Sequence, residues 1–313
     1  MNILVTAIGS MSADCVINSL KKLKHKIIGC DIYPAEWHAT SKDCDKVYKS
    51  PLTSNEASYV QFLIDISNTN NINYIFPLTD LEVDVINKFR NDFENKGIIV
   101  CLPNAETLSI ARNKLNLYNR FKDDPKVPSI LTFNQKSDNV VLPSSRYIAK
   151  PCNGRSSEGV IHLSTKSELD NVLKLENYII QEYKSGSIYT VDYIRNGQSG
   201  RDFSIQREEL LRTKNGAGLT VRVKNNKELS ELASYIGNEL NVNGCINMEF
   251  IYNNEKFYLI DINPRFSAGI AFSIVSGYNM VKSHLNCFIG QDILDPVPID
   301  DLILTKRYKE EIL

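Results

Sequence analysis

The N-terminal strand–helix–strand pattern constrains the fold of this chain more than any other feature. Residues 3–5 form an apolar run, a turn follows around Gly9, and apolar residues between 16 and 23 then recur at helical spacing. A second apolar run, residues 26–30, ends at Asp31. This order is typical of a βαβ unit, so the sequence predicts a parallel sheet covered by helices.

Further patterns of the same kind continue to about residue 104. They predict a helix, a strand, a helix and a strand at 59–67, 74–77, 82–93 and 98–102. Residues 1–104 are therefore predicted to form an α/β domain of Rossmann-like type. The turn at Gly9 lacks the G-x-G-x-x-G sequence, which favours a tight turn over a dinucleotide site.

The pattern changes after a predicted linker helix at 105–121, which is followed by Pro125 and Pro128. Strands alternate with single helices, and the segment 187–222 is predicted to be antiparallel with Asn-Gly turns. These features predict that residues 105–313 form a region distinct from the first domain, in which strands and helices are mixed. The predicted elements are strands at 146–150, 178–181, 243–251 and 256–262 and helices at 166–174, 226–240 and 270–289.

Charge and cysteine content exclude several classes of protein. The 36 Lys and Arg residues nearly balance the 37 Asp and Glu residues, which argues against a nucleic-acid coat. No apolar run approaches the roughly 18 residues that span a bilayer, and the N-terminus lacks the features of a signal peptide. The seven cysteines form no CxxC pair, which is typical of free thiols in the cytoplasm. We therefore expect a cytoplasmic protein that binds neither membrane nor nucleic acid.

A lysine followed by a Gly/Ser-rich loop indicates an anion site. Lys150 ends a predicted strand, and residues 153–160 read NGRSSEGV. This arrangement places an ammonium and several backbone N–H groups around one anion, although it is not a Walker A motif. The alternative is a solvated hairpin in which Gly and Ser only satisfy the turn geometry.

Polar residues on the last two predicted strands indicate a metal site. Glu249 lies on one strand, and Asp261 and Asn263 share a face of the next by the period-two rule. Two carboxylates and an amide oxygen suit Mg²⁺ when phosphates complete its shell, and Arg265 on the same face suits a carboxylate or phosphate. The alternative, an exposed polar face, fits poorly with the apolar neighbours of these residues.

The order of these motifs resembles the ATP-grasp superfamily, and most closely the stand-alone proteins related to the large subunit of carbamoyl phosphate synthetase. The resemblance rests on Lys114, the Lys150 loop, the QEYKSG segment at 181–186, Glu249 and the DINPR segment at 261–265. It covers essentially the whole chain, including an N-terminal pre-ATP-grasp domain. The resemblance implies an α+β fold of two subdomains, residues 105–180 and 181–313, with ATP bound between them.

The resemblance also implies a role for each matching residue. Lys150 and Arg265 are the implied catalytic residues, with Arg265 facing the transferred phosphoryl group or the acyl phosphate. Glu249, Asp261 and Asn263 would hold Mg²⁺, with Mn²⁺ as an alternative. The implied ATP-binding residues, which include a covering loop and a hinge strand that reads adenine, are Lys114, Lys150, Ser156, Ser157, Gln181, Glu182, Tyr183, Lys184 and Ile188.

Two residues depart from the family pattern. Ile188 stands where the family usually has an acidic residue for the ribose hydroxyls, so ribose contact is in doubt or Asp192 supplies it. Asp261 begins a metal motif that more often begins with Glu, and its shorter side chain would reposition one metal ion.

Asp80 and Glu82 are candidate substrate residues. They follow the predicted strand 74–77 and so lie at the carboxyl edge of the first sheet, where open α/β folds bind ligands. They could bind a cationic amine. Equally, they could be acids at a helix N-terminus, where the macrodipole favours them.

The resemblance implies an ATP- and Mg²⁺-dependent ligase that joins a small-molecule carboxylate to an amine, or to a thiol, through an acyl phosphate. Two alternatives stay open: a carbamate or carboxylate kinase similar to half of a carbamoyl phosphate synthetase, and a non-catalytic nucleotide-binding protein. The sequence leaves both a monomer and a homodimer open.

Overall fold

The chain builds three sheets in succession. The structure is a computed structural model that describes residues 1–134, 146–155 and 157–313. The described strands form a five-stranded, a four-stranded and a six-stranded sheet. The predicted α/β domain followed by an α+β fold is therefore confirmed.

The first sheet is parallel and has helices on both faces. Its strands run in the order β3-β2-β1-β4-β5 and are β1 (Asn2–Val5), β2 (Lys26–Asp31), β3 (Lys46–Lys49), β4 (Tyr74–Phe76) and β5 (Ile99–Val100). Its helices are α1 (Ala13–Lys22), α2 (Glu56–Asn70), α3 (Asp80–Lys88) and α4 (Arg90–Glu94). Helix α1 buries Val16, Ile17 and Leu20, as the helical spacing predicts.

Two details of this domain differ from the prediction. Strand β3 was not predicted, because it is a half-exposed edge strand with a lysine at each end and lacks an apolar run. The predicted helix at 82–93 is two helices that meet at Phe89, whose backbone leaves the helical region.

The predicted linker helix is also two helices, α5 (Ala105–Ala111) and α6 (Lys114–Phe121). Asn113 separates them, because its extended backbone lets its side chain accept hydrogen bonds from the N–H groups of Leu115 and Asn116. This is the geometry of an N-cap, and it starts α6 at Lys114.

The four-stranded sheet is antiparallel in the order β6-β9-β7-β8. Its elements are β6 (Thr132–Asn134), β7 (Tyr147–Pro151), β8 (Ile161–Leu163), α7 (Lys166–Val172) and β9 (Tyr178–Glu182). The expected subdomain boundary at residue 180 falls inside β9. We therefore propose to place the boundary in the connection that follows β9.

The six-stranded sheet is antiparallel in the order β14-β13-β10-β11-β12-β15. Its strands are β10 (Ser187–Arg195), β11 (Asp202–Arg212), β12 (Gly218–Val223), β13 (Gly244–Asn253), β14 (Lys256–Asn263) and β15 (Leu302–Thr305). Its helices are α8 (Lys227–Glu239), α9 (Ile270–Val275) and α10 (Met280–Phe288). The helix predicted at 270–289 is broken near Gly277, whose φ of 102° favours glycine.

The two faces of this sheet have different coverings. Val191, Met248 and Phe250 on one face share an apolar core with α8, α5 and α6. Residues of the other face share a core with α10 and with the first domain. His284 of α10 joins the two domains, because its Nδ1 accepts from the N–H of Cys245 at 2.8 Å and its Nε2 lies 3.2 Å from the carbonyl of Cys101.

None of the helices in the described parts of the chain is both long and apolar enough to cross a bilayer.

Candidate active site

A cavity of about 670 Å³ lies where the first domain, the loop after β7 and the six-stranded sheet meet. Its wall includes side chains from all three parts. The predicted site residues that line it are Asp80, Lys114, Lys150, Ser157, Glu249, Asp261, Asn263 and Arg265. Ser156, which was also predicted, lies outside the described residues.

Lys114 lies on the first turn of α6, and its ammonium reaches into the cavity. Its backbone N–H donates to the carbonyl of Cys152 at 2.8 Å, which ties α6 to the end of β7. Its Nζ forms an ion pair with Asp261 at 2.9 Å and donates to the carbonyl of Gly154 at 3.3 Å. The lysine therefore links the predicted phosphate loop to the predicted metal ligands.

Lys150 lies near the end of β7, and its Nζ donates to Oε1 of Gln181 on β9 at 2.9 Å. The amide of Gln181 in turn donates to the hydroxyl of Thr132 at 2.9 Å. Burial, with a smaller contribution from nearby Lys114, lowers the pKa of Lys150 to about 8 against the attraction of Asp261. A bound phosphate would favour the charged form of this lysine.

The predicted metal ligands share one face of the sheet. Glu249 lies directly opposite Asp261, and Asn263 lies opposite Asn247. Arg212 lies 3.1 Å from Glu249. Burial, together with Asp261, raises the pKa of Glu249, although Arg212 opposes this.

Arg265 is oriented by the first domain. Its Nε and Nη2 donate to the two oxygens of Asp80 at 3.1 and 2.7 Å, and Nη1 of Arg112 lies 3.3 Å from the same carboxylate. Burial would raise the pKa of Asp80, but Arg265 and Arg112 outweigh it and lower the pKa. We propose that Asp80 holds Arg265 in the wall of the cavity, and its expected contact with an amine stays a prediction.

Glu82 caps helix α3 and does not line the cavity. Its carboxylate accepts from the hydroxyl of Tyr59 at 2.9 Å and forms a capping box with Thr79 at the start of α3. It is buried beneath the helix and is not part of the cavity wall. The helix-terminus interpretation is therefore right for Glu82, and its expected contact with an amine is wrong.

Part of the predicted hinge strand lies beside a second, small cavity. Gln181 lines it together with the apolar side chains of Ile179, Leu259 and Ile260. Glu182 pairs with Lys184 at 3.3 Å, and the ring of Tyr183 contacts His162 edge to face. The role predicted for Glu182, Tyr183 and Lys184, which is to bind adenine, therefore stays a prediction.

Neither Ile188 nor Asp192 lines the described cavities, so neither is placed to contact the ribose hydroxyls. Ile188 lies at the start of β10, outside the walls of both cavities. Asp192 is fully buried and is bound by Arg207, Ser273 and Asn247, so it is closed off from the cavity. The expectation that Asp192 replaces the missing acid is therefore wrong.

Charged residues of β11 in the cavity wall were missed. They are Arg207, Glu209 and Arg212. Arg207 and Glu209 are two residues apart in a strand, so they share a face. That spacing is the sequence signal that could have found them, but the pairing of β11 with β10 is needed to place them beside Glu249.

The arrangement defines a class of protein. The cavity is bounded by antiparallel sheets and closed on one side by the α/β domain, and its wall holds two lysines, several arginines and the carboxylate pair of Glu249 and Asp261. An arrangement of this kind suits a phosphorylated anion that is bound together with a divalent cation.

The chain belongs to the ATP-grasp family. The ATP-grasp domain model matches residues 111–269, just over half of the chain, and the model of a PylC-like N-terminal domain matches residues 3–101. The predicted superfamily is thus confirmed.

One similar curated protein is the tyramine–L-glutamate ligase of Methanocaldococcus jannaschii. It is 25% identical over 210 residues, which are 66% of this chain and 60% of that protein. The chain thus spans less than two thirds of the length of this relative.

Solved structures share the fold. A Campylobacter jejuni biotin carboxylase, solved with β,γ-ATP, has a TM-score of 0.77 at 16% identity. The match covers 94% of this chain and 72% of the biotin carboxylase chain. An N5-carboxyaminoimidazole synthetase from Staphylococcus aureus, solved with ADP, has a TM-score of 0.75 at 13% identity, with coverages of 95% and 79%.

Proposed function

We propose that the protein is an ATP- and Mg²⁺-dependent ligase that joins a small-molecule carboxylate to an amine and releases ADP. The observation that carries this proposal is the placement of Lys114 and Lys150 in the same cavity as Glu249 and Asp261. Cations for phosphate and oxygen ligands for a metal are the two requirements of phosphoryl transfer.

The donor set fits Mg²⁺ bound to a nucleotide. Within the described residues, no group of three or more His, Cys, Asp or Glu side chains forms a closed metal site. Glu249, Asp261 and Asn263 would therefore hold the ion only with phosphate oxygens completing its shell. When bound, Mg²⁺ would neutralise phosphate charge.

The two lysines bind and orient the phosphates in this proposal. Lys114, now paired with Asp261 at 2.9 Å, would exchange this partner for a phosphate oxygen. Lys150 would do the same with Gln181. Both exchanges replace one partner of an ammonium by another, so they leave neither lysine unpaired.

Arg265 positions the carboxylate substrate. The bidentate contact with Asp80 fixes its guanidinium, and a planar guanidinium matches a carboxylate or an acyl phosphate. A carboxylate oxygen attacks the γ-phosphorus, and the bond from this phosphorus to ADP breaks. The amine nitrogen then attacks the acyl carbon, phosphate leaves, and the amine loses a proton.

The relative's name supports the substrate class. By its name, this relative joins tyramine to L-glutamate. An amino acid carboxylate and a primary amine are therefore the proposed substrates of this chain. ATP with Mg²⁺ is the proposed cofactor pair, and Mn²⁺ is proposed as a substitute ion.

ADP release from Mg²⁺-ATP tests the proposal. We expect release only when both an acid from a panel of amino acids and a primary amine are present, and loss of release in Lys150→Ala. Release with the acid alone, with a phosphorylated product, would instead identify a carboxylate kinase. Tight ATP binding with no release across the panel would identify a non-catalytic nucleotide-binding protein.

A further inference from the structure

Glu209 presents an unpaired carboxylate oxygen to the cavity. Its side chain is only 3% exposed, and it lines the cavity wall on β11. Its Oε1 accepts from the hydroxyl of Thr190 and lies 3.2 Å from Nε of Arg207, whereas Oε2 has no hydrogen-bond partner among the residues described. A buried carboxylate oxygen without a donor is costly, so this oxygen is a place for a donor group of a ligand.

The charges around Glu209 do not balance. Asp192 and Glu209 are both bound to Arg207, whose guanidinium lies 2.6 Å from Asp192. The side chains of these three residues are 0–3% exposed. Two carboxylates and one guanidinium leave a net charge of −1 in this buried group, which favours a positively charged ligand.

The neighbouring cations Arg212 and Lys306 do not donate to Oε2 of Glu209. Arg212 pairs with Glu249, and the ammonium of Lys306 donates to the carbonyl of Ala268 at 2.7 Å. No ion pair joins Lys306 to Glu209 in the part of the chain that the structure describes. Lys306 lowers the cost of the charge on Glu209 through space, but it leaves Oε2 without a donor.

The ligand chemistry follows from these two observations. A neutral hydroxyl would satisfy Oε2 but would leave the net charge, and a divalent metal ion would need more carboxylates than this part of the cavity offers. An ammonium group supplies both a hydrogen-bond donor and one positive charge.

We propose that Glu209 binds the ammonium group of a substrate, with Thr190 holding its carboxylate in place. This inference rests on the proposed function, which requires an amine and an amino acid. The ammonium could therefore belong to the amine substrate before it loses its proton, or it could be the α-ammonium of the amino acid.

Paired ligands test the proposal by calorimetry on the full chain, in the presence of Mg²⁺ and the non-hydrolysable nucleotide AMP-PNP. The first pair is tyramine and 4-ethylphenol, and the second is L-glutamate and glutarate; in each pair only the first ligand has the ammonium. We expect wild type to bind the ammonium ligand of one pair at least about tenfold more tightly. The first pair would assign the site to the amine, and the second to the amino acid.

Glu209→Gln should abolish this preference without changing the Kd of AMP-PNP. Glu208→Gln is the matched control, since Glu208 points to the opposite face of β11 and should keep the preference. Thr190→Val, which leaves Glu209 in place but removes its hydroxyl partner, should reduce the preference in part. It provides a second variant if Glu209→Gln does not fold.

Three results would overturn the proposal: no ammonium preference in wild type for either pair, an undiminished preference in folded Glu209→Gln, or weaker AMP-PNP binding in this variant with the preference retained. The binding test does not depend on turnover. An ammonium preference without ADP release would therefore reject the ligase reaction and keep the Glu209 site, whereas ADP release without the preference would do the reverse.

Discussion

The surroundings of Lys150 disfavour the protonated, charged form of its side chain. Burial lowers the pKa of this lysine to about 8 in the free protein. The group is therefore protonated below pH 8 and loses its charge as the pH rises through this value. Since it is proposed to bind phosphate, the affinity for nucleotide should depend on this proton.

We predict that kcat/KM for ATP falls as the pH rises above about 8. Lys150→Arg should move this fall to higher pH, because a guanidinium keeps its charge there. A pH series of kcat/KM for both proteins measures the effect. A fall at the same pH in Lys150→Arg would show that another group titrates.

Asp80 gives a second prediction at this scale. Asp80→Asn should lower kcat roughly 10- to 100-fold, because Arg265 loses its charged bidentate partner and moves out of position. Asp84→Asn is the matched control: Asp84 pairs with Arg112 rather than with Arg265, is 40% exposed, and should change kcat less than about twofold. Equal effects of the two substitutions would contradict the positioning role of Asp80.

Helix α6 sets the position of Lys114 through its cap. Asn113 accepts from two backbone N–H groups, and the next residue carries the cavity-lining ammonium. A cap loss should therefore affect both stability and nucleotide binding.

We predict that Asn113→Ala lowers the free energy of unfolding by about 1 kcal/mol and weakens nucleotide binding. Asn104→Ala removes the corresponding cap of α5, at which Asn104 accepts from the N–H of Thr107 at 2.8 Å. It should cost a similar free energy without a change in nucleotide Kd. Urea denaturation and nucleotide titration of both variants provide the measurements, and equal Kd changes would contradict the link.

The elements with clear periodicity could be predicted, and the boundaries set by single polar residues could not. The βαβ opening and the antiparallel strands around Glu249 follow from apolar spacing alone. The break at Asn113 arises because the side chain of this residue caps the next helix, and the residue therefore does not continue the previous one. Strand β15 is a short apolar segment whose residues are partly buried or exposed, so only its pairing with β12 identifies it as a strand.

The same limit applies to the site. Recognisable local patterns in the sequence identify Lys150, Glu249, Asp261 and Arg265. All four residues line the cavity. Glu209 could not be predicted, because its importance depends on strand pairing and on an unpaired oxygen. The pairing of Asp80 with Arg265 joins residues far apart in sequence, which a single chain without its fold does not reveal.

His284 joins the first domain to the six-stranded sheet at the scale of the whole molecule. Its ring packs against Phe76, Phe266 and Phe288 and binds the backbone of both domains. Burial lowers the pKa of His284 to about 3. The unfolded chain therefore binds a proton on this residue more readily than the folded chain does.

We predict that stability is unaffected by this group above about pH 6.5 and falls as the pH drops towards 3. The slope from one such histidine is about 1.4 kcal/mol per pH unit. His284→Gln should remove this contribution, whereas His162→Gln, at an exposed position of β8, should retain it. Unfolding free energies at pH 7, 6 and 5 measure the slope, and an unchanged slope in His284→Gln would count against the buried neutral histidine.

We propose that the protein activates a carboxylate by transferring the γ-phosphoryl group of ATP to it. Isotope transfer measures this step directly. The acid that supports ADP release is labelled with ¹⁸O in its carboxylate and incubated with Mg²⁺-ATP and the amine in unlabelled water. The account predicts that the released phosphate carries one ¹⁸O atom from the acid for each ADP formed. Phosphate free of label, formed together with ADP, would contradict it.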